Sequence, residues 1–108
     1  MASGPVREPT FLILVALATA PMHGYGIIKE VESLSDGRVR LRAGTLYGAL
    51  ERLEADGLIS FQGEEKGDGP TRRRYRITRA GKRLLDEEIQ RMEANVGAAR
   101  SRLGQALA

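Results

Sequence analysis

The chain has no cysteine, no tryptophan, one histidine and only five aromatic residues in 108. Without cysteine there is no disulfide framework, no thiolate metal site and no cysteine nucleophile, and the composition fits a reducing compartment. The single histidine, His23, cannot hold a metal without partners, and the carboxylates form no matching cluster in the sequence. It reads as a loop or helix-start residue. Two Phe and three Tyr argue against a strongly stacking aromatic pocket and leave room for a mostly aliphatic one. Nothing repeats and nothing is low-complexity. The longest apolar run, FLILVALATA at 11–20, is far too short to cross a bilayer as a helix. It ends in an Ala-x-Ala pattern after Arg7, the outline of a secretory signal. Glu8 and Pro9 spoil the positive flank, however, and removing the run would take away the only wholly apolar helix of a small core. A core helix and a cytoplasmic, non-membrane protein are expected.

Catalytic patterns are missing too. Gly24-Tyr25-Gly26 lacks the third glycine and the preceding strand of a dinucleotide fingerprint. The Gly-rich stretch at 63–70 has no following Lys-Ser or Lys-Thr, so it is no phosphate-binding loop. Ser3, Ser33, Ser35, Ser60 and Ser101 have no base arranged near them. Neither an enzyme nor a cofactor is expected.

What is present is charge, unevenly placed. The formal net charge is +3 with a sequence pI near 9.7, which alone says little about partners. Residues 66–83, however, hold eight Lys or Arg (66, 72, 73, 74, 76, 79, 82 and 83) against one acid, Asp68. The excess is a local patch.

The size implies one domain. Residues 1–8 form a polar lead that reads as flexible. Pro9 suits the first turn of a helix, where its missing N–H costs nothing. This first helix is expected to run to about Thr19 and stop at Ala20-Pro21. Met22 to Gly26 is expected to open a second helix with Ile27, Ile28, Val31 and Leu34 as its stripe, closed by the turn signal Ser35-Asp36-Gly37. Arg38, Arg40 and Arg42 alternate with Val39 and Leu41, as in a short extended piece. Residues 42–58, RAGTLYGALERLEADGL, then read as a two-faced helix. Leu46, Ala49, Leu50 and Leu53 share one stripe, while Thr45, Gly48, Arg52 and Ala55 leave a low, cationic opposite side. Gly57 supplies a left-handed cap. Leu58, Ile59 and Phe61 start a strand, 63–70 is a hairpin tip, and 72–77 returns with Tyr75 and Ile77 alternating against arginines. Thr78 is the N-cap of a last helix. In that helix Leu85, Ile89, Met92, Val96, Ala99 and Leu103 follow a heptad pattern, a stripe that a second copy of the chain would cover. The same helix could also fold back on the first.

Three helices, a basic two-stranded ribbon and a long helix make a mainly α winged helix-turn-helix over 9–78, with a dimerisation helix over 79–108. A helix fits the major groove of duplex DNA and an arginine-bearing ribbon fits its backbone or minor groove. The competing class is a winged-helix module that docks an acidic protein.

The residues also resemble a family. Pro21-Met22-His23-Gly24-Tyr25-Gly26-Ile27, then Gly44-Thr45-Leu46-Tyr47 with Leu50, Arg52-Leu53-Glu54 and Gly57-Leu58-Ile59, then Arg74-Tyr75-Arg76-Ile77-Thr78 with Gly81 stand in the order and spacing of the PadR family of bacterial regulators, short form. The resemblance covers about residues 9–85. It implies a homodimeric transcription factor, often a repressor, on a partly palindromic operator. In many such proteins a small-molecule effector near the dimer interface releases the DNA. The expected DNA-facing residues are Tyr25, Arg40, Arg42, Thr45, Tyr47, Gly48, Arg52, Lys66, Arg72 and Arg73. Tyr47 has a second reading, with its ring in the core and only its hydroxyl at the surface. Gly48 stands where relatives often carry a proline or another residue.

Overall fold

The computed structural model describes residues 6–67, 69 and 72–108. Most of the expected lead (1–5) and parts of the expected hairpin tip (68 and 70) lie outside them. The chain runs α1 (Glu8–Ala16), β1 (Met22–His23), α2 (Gly24–Leu34), α3 (Ala43–Ala55), β2 (Ile59–Glu65), β3 (Arg72–Ile77) and α4 (Arg79–Leu107). The fold is mainly helical with a small antiparallel sheet and a long last helix, the winged helix-turn-helix class expected from the sequence. Among the described residues no helix is long and apolar enough to cross a membrane.

The core is built from the stripes. Leu46, Ala49, Leu50 and Leu53 of α3 are all buried, facing Ile13, Leu14 and Leu17 from α1 and its cap and Ile27 and Val31 of α2. Tyr75, Ile77 and Ile59 close the core from the sheet. Leu34, the last residue of the α2 stripe, stays exposed at the rim. At the end of α3, Gly57 takes φ 75°, and the Leu58 amide bonds back to the Leu53 carbonyl at 2.9 Å. This is the left-handed cap expected there.

Three features depart from expectation. First, α1 ends at Ala16 rather than Thr19. Leu17 is in the core, and the exposed residues 18–20 redirect the chain towards Pro21, which cannot continue a helix. Second, Met22 and His23 are not part of the first turn of α2. They form β1, which pairs with Tyr75 and Arg74 of β3, so the sheet has three strands in the order β1-β3-β2. The short strand covers an edge of β3 that would otherwise present unpaired backbone groups. Third, Gly63 is not the start of the tip. Strand β2 continues to Glu65 through a register shift between Phe61 and Gly63, with Gly63 at φ 142°, a bulge geometry open to glycine. Residues 39–42 are extended in part, as expected, and pair with nothing in a sheet. The buried Ser35 hydroxyl ties their start to α2, accepting from the Val39 amide at 3.0 Å and donating to the Val31 carbonyl at 2.9 Å.

Thr78 is the N-cap of α4, as expected. Its hydroxyl accepts from the Gly81 amide at 3.1 Å and donates to the Gly57 carbonyl at 2.7 Å. The first turns of α4 pack on the fold. Leu85, expected in an intermolecular seam, is only 8% exposed and belongs to the protomer's own core. Glu88 is also buried, bonded to Arg91 and, at 3.4 Å, to the Val6 amide. Beyond that point α4 leaves the body, and Ile89, Met92, Val96, Ala99 and Leu103 are all exposed.

Candidate nucleic-acid interface

Three elements share one side of the molecule: the N-terminus of α2, the outer side of α3 and the β2–β3 wing. The N-terminus of α2 is capped by a side chain, with His23 Nδ1 accepting from the Gly26 amide at 3.1 Å. The other ring nitrogen lies 3.3 Å from Arg72 of the wing. The histidine is therefore a helix-start residue, as expected, and also joins α2 to β3. That second role has no sequence signal, because Arg72 is 49 residues away in the chain.

Tyr47 settles between its two readings. The residue is 47% exposed, and its phenol end lies against Gly24, where a Cβ would collide with it. The ring is thus held at the surface by a glycine on a neighbouring helix. Tyr25 is exposed beside it, with the Lys29 ammonium 5.8 Å from its ring centre. Tyr25, Tyr47, His23, Gly24, Arg72 and Arg73 line one depression of about 390 Å³. The α2 N-terminus, two phenols and two guanidiniums are suited to hold a phosphate there.

A second cleft of about 550 Å³ runs between α3 and the wing, lined by Gly44, Tyr47, Gly48, Glu51, Glu54, Arg73 and Tyr75. Arg73 spans its rim. Its guanidinium carbon lies 4.1 Å from the Phe61 ring centre, and its Nε donates to the Tyr75 hydroxyl at 3.1 Å. That hydrogen bond, with the charges of Glu54 and Glu64 nearby, raises the Arg73 pKa above its ordinary value. Phe61 and Tyr75 meet edge to face at 6.3 Å. Sequence alternation had placed Arg74 and Arg76 opposite Tyr75, and the burial pattern of β3 agrees.

The remaining expected residues divide. Thr45 and Arg52 are exposed on α3, and an Arg52 guanidinium nitrogen lies 3.6 Å from where a Gly48 Cβ would stand. Gly48 therefore leaves the floor low and lets Arg52 fold towards the helix N-terminus. Arg42 is exposed at the α3 N-cap without a side-chain capping bond. Lys66 is exposed beyond β2. Arg40 is exposed as well; its Nε donates to the Gly37 carbonyl at 3.2 Å and lies 3.7 Å from the Glu32 carboxylate. Arg38 is likewise engaged, by Glu8 at 2.6 Å, and this hydrogen bond holds the Glu8 carboxyl below its ordinary pKa. Residues missed in the sequence are Gly24, His23 as a bridge, Phe61 under Arg73, and the two carboxylates Glu51 and Glu54. Only the carboxylates had a signal, since helical spacing puts Glu51 beside Gly48 on the outer face.

Comparison with known proteins places the chain. The model of the transcriptional regulator PadR-like family matches residues 13–87. A transcriptional regulator of Mycobacterium tuberculosis is 41% identical over 81 residues, which cover 75% of this chain and 72% of that protein. An uncharacterised 37.1 kDa transposon protein of Streptomyces fradiae is 46% identical over 86 residues, but the match spans only 23% of its length. Among solved structures, a PadR family transcription regulator from Clostridium difficile superposes with a TM-score of 0.75 at 26% identity, covering 90% of this chain and 99% of that one. Bacillus subtilis PadR, solved in complex with operator DNA, shares the fold with a TM-score of 0.69 at 24% identity, over 79% of this chain and 48% of that one. Matched by the family model over most of its length, and by a regulator of similar extent, this chain belongs to the PadR-like family of transcriptional regulators and is not an enzyme.

Proposed function

We propose that the chain represses transcription by binding a palindromic operator as a homodimer, with α3 of each protomer in a major groove and each wing on the flanking backbone. The observation that carries this reading is the continuity of the surface: the low Gly44-Gly48 side of α3 runs into a basic wing across a depression lined by Tyr25, Tyr47 and Arg72. The operator complex of Bacillus subtilis PadR, which has the same fold, supports it. The second copy is proposed to pack on the exposed α4 stripe of Ile89, Met92, Val96, Ala99 and Leu103, making 79–108 the dimerisation segment of a 9–78 binding domain. A small molecule lodged against that aliphatic seam would release the DNA, as the family resemblance implies.

Phosphate contacts should dominate affinity, and neutralising each phosphate releases counterions. A fragment of the protein's own promoter should bind far better than random duplex. With six or more phosphates contacted per dimer, its affinity should fall by about 10³-fold or more between 50 and 200 mM salt. Equal binding of promoter and random DNA at low salt would defeat the regulator reading in favour of a protein-docking module.

The two wing arginines should separate. Arg72→Ala removes an exposed cation and should weaken binding to all sequences alike. It should lower the salt slope by roughly one phosphate per protomer and lower the melting temperature less than Arg73→Ala does, because its contact with His23 is exposed. Arg73→Ala should weaken binding and also lower the melting temperature, because Arg73 bridges Phe61 and Tyr75. Parallel titration and thermal denaturation of both variants test this.

A further inference from the structure

The outer face of α3 carries a carboxylate where a DNA-binding surface should repel one. Helical spacing places Gly44, Gly48, Glu51 and Ala55 on the side opposite the buried leucines. Glu51 is exposed, and among the described residues no hydrogen bond or ion pair engages it. Its neighbour Glu54 is differently placed: its charge acts on Arg73 across the cleft. Glu51 is thus a net negative charge directed at a polyanion, next to a glycine floor that invites close approach.

We infer that Glu51 selects a cytosine in each operator half-site by accepting a hydrogen bond from the cytosine N4 amino group. The inference rests on the DNA-binding reading above. Of the groups lining the major groove, only the amino groups of cytosine and adenine donate. Adenine places its donor beside the N7 acceptor, which repels a carboxylate, whereas cytosine offers N4 without such a neighbour on the same base. On the helix surface Glu51 and Arg52 stand on either side of the floor made by Gly48 and Ala55. Arg52 is the type of side chain that reads guanine. The pair therefore favours a cytosine and a guanine close together, one met by each side chain. Repulsion from the phosphates adds to discrimination, because without the amino donor the carboxylate gains nothing to offset it.

The test is selection from a randomised duplex library with the full-length wild type, Glu51→Gln and Glu51→Ala, followed by titration on the selected sites. For the wild type, replacing the selected cytosine should cost about tenfold in affinity. Glu51→Gln should move the preference at that position to adenine, the base that a Gln amide pairs with through N6 and N7. Glu51→Ala should bind random DNA more tightly and become indifferent at that position. If Glu51→Ala keeps the wild-type preference at every position and only gains affinity, Glu51 is an electrostatic brake and the inference fails. If the wild type itself selects no sequence, the DNA-regulator reading fails with it. Circular dichroism of each variant checks folding, which an exposed site should leave intact.

Discussion

Replacing both Met92 and Val96 by Glu should leave the chain folded but monomeric, and should abolish tight operator binding. Both side chains lie on the part of α4 that has left the protomer's body, at 39% and 49% exposure. With Ile89 before them and Ala99 and Leu103 after, they continue a three-four spacing that coiled-coil seams use. The helix of 29 residues is long enough, at about 1.5 Å per residue, to offer a partner several turns of apolar surface. In a two-fold dimer the double substitution would bury four carboxylates near one axis, and desolvating them unpaired is prohibitive. Sedimentation should then report one chain of 11.8 kDa rather than two. Operator affinity should drop by about 10²- to 10⁴-fold, because the second half-site is no longer tethered to the first. An unchanged sedimentation mass would rule the stripe out as the seam. Leu85→Glu should behave differently. That side chain sits in the protomer's own core, so the same charge there should unfold the chain rather than split a dimer.

The contrast between Leu85 and Val96 shows how far the sequence carries. The heptad spacing legibly marks one continuous stripe, but spacing cannot say where the stripe passes from the chain's own core to a partner. That depends on where α4 clears α1, which only tertiary packing decides. The same division holds elsewhere. The α3 stripe, the Gly57 cap and the Thr78 cap were readable because each is local, within a turn or two of helix. Strand β1 was not, since two residues have no period, and Met22 and His23 become a strand only because β3 lies alongside. Alternation with Val39 and Leu41 marks Arg40 as outward-facing but cannot say what its side chain meets. Its bond to the Gly37 carbonyl and its approach to Glu32 depend on the turn at Asp36-Gly37, where both residues take positive φ. Tyr47 could be neither core nor surface on spacing grounds. Its position follows from the missing Cβ of Gly24, far away in the chain.

Gly81→Ala is the second substitution with a large expected effect, and here two terms oppose each other. Gly81 lies inside α4, where exchanging glycine for alanine normally stabilises a helix by about 0.8–1.0 kcal/mol. A Cβ at this position, however, would overlap the Leu58 carbonyl oxygen and come within 2.7 Å of the Ile77 side chain. The Leu58 carbonyl cannot swing aside cheaply, because it already accepts from the Thr78 amide at 3.0 Å. Relief requires the start of α4 to lift from the turn after α3, which strains that bond and the Thr78 hydroxyl's bond to Gly57. Overpacking of this kind costs about 1–3 kcal/mol, and a backbone neighbour puts it towards the upper end. The net expectation is a loss of about 1–2 kcal/mol, read as a lower urea midpoint at unchanged slope. Gly97→Ala in the same helix is the matched control. Among the described residues nothing beyond its chain neighbours and its own helix backbone lies within 4 Å of its missing Cβ, so helix propensity should act alone and raise the midpoint. Opposite signs for the two substitutions, at equal protein concentration, would show that Gly81 is required for the contact that seats α4 on the winged domain. A rise in both would mean that α4 does not approach Leu58 so closely.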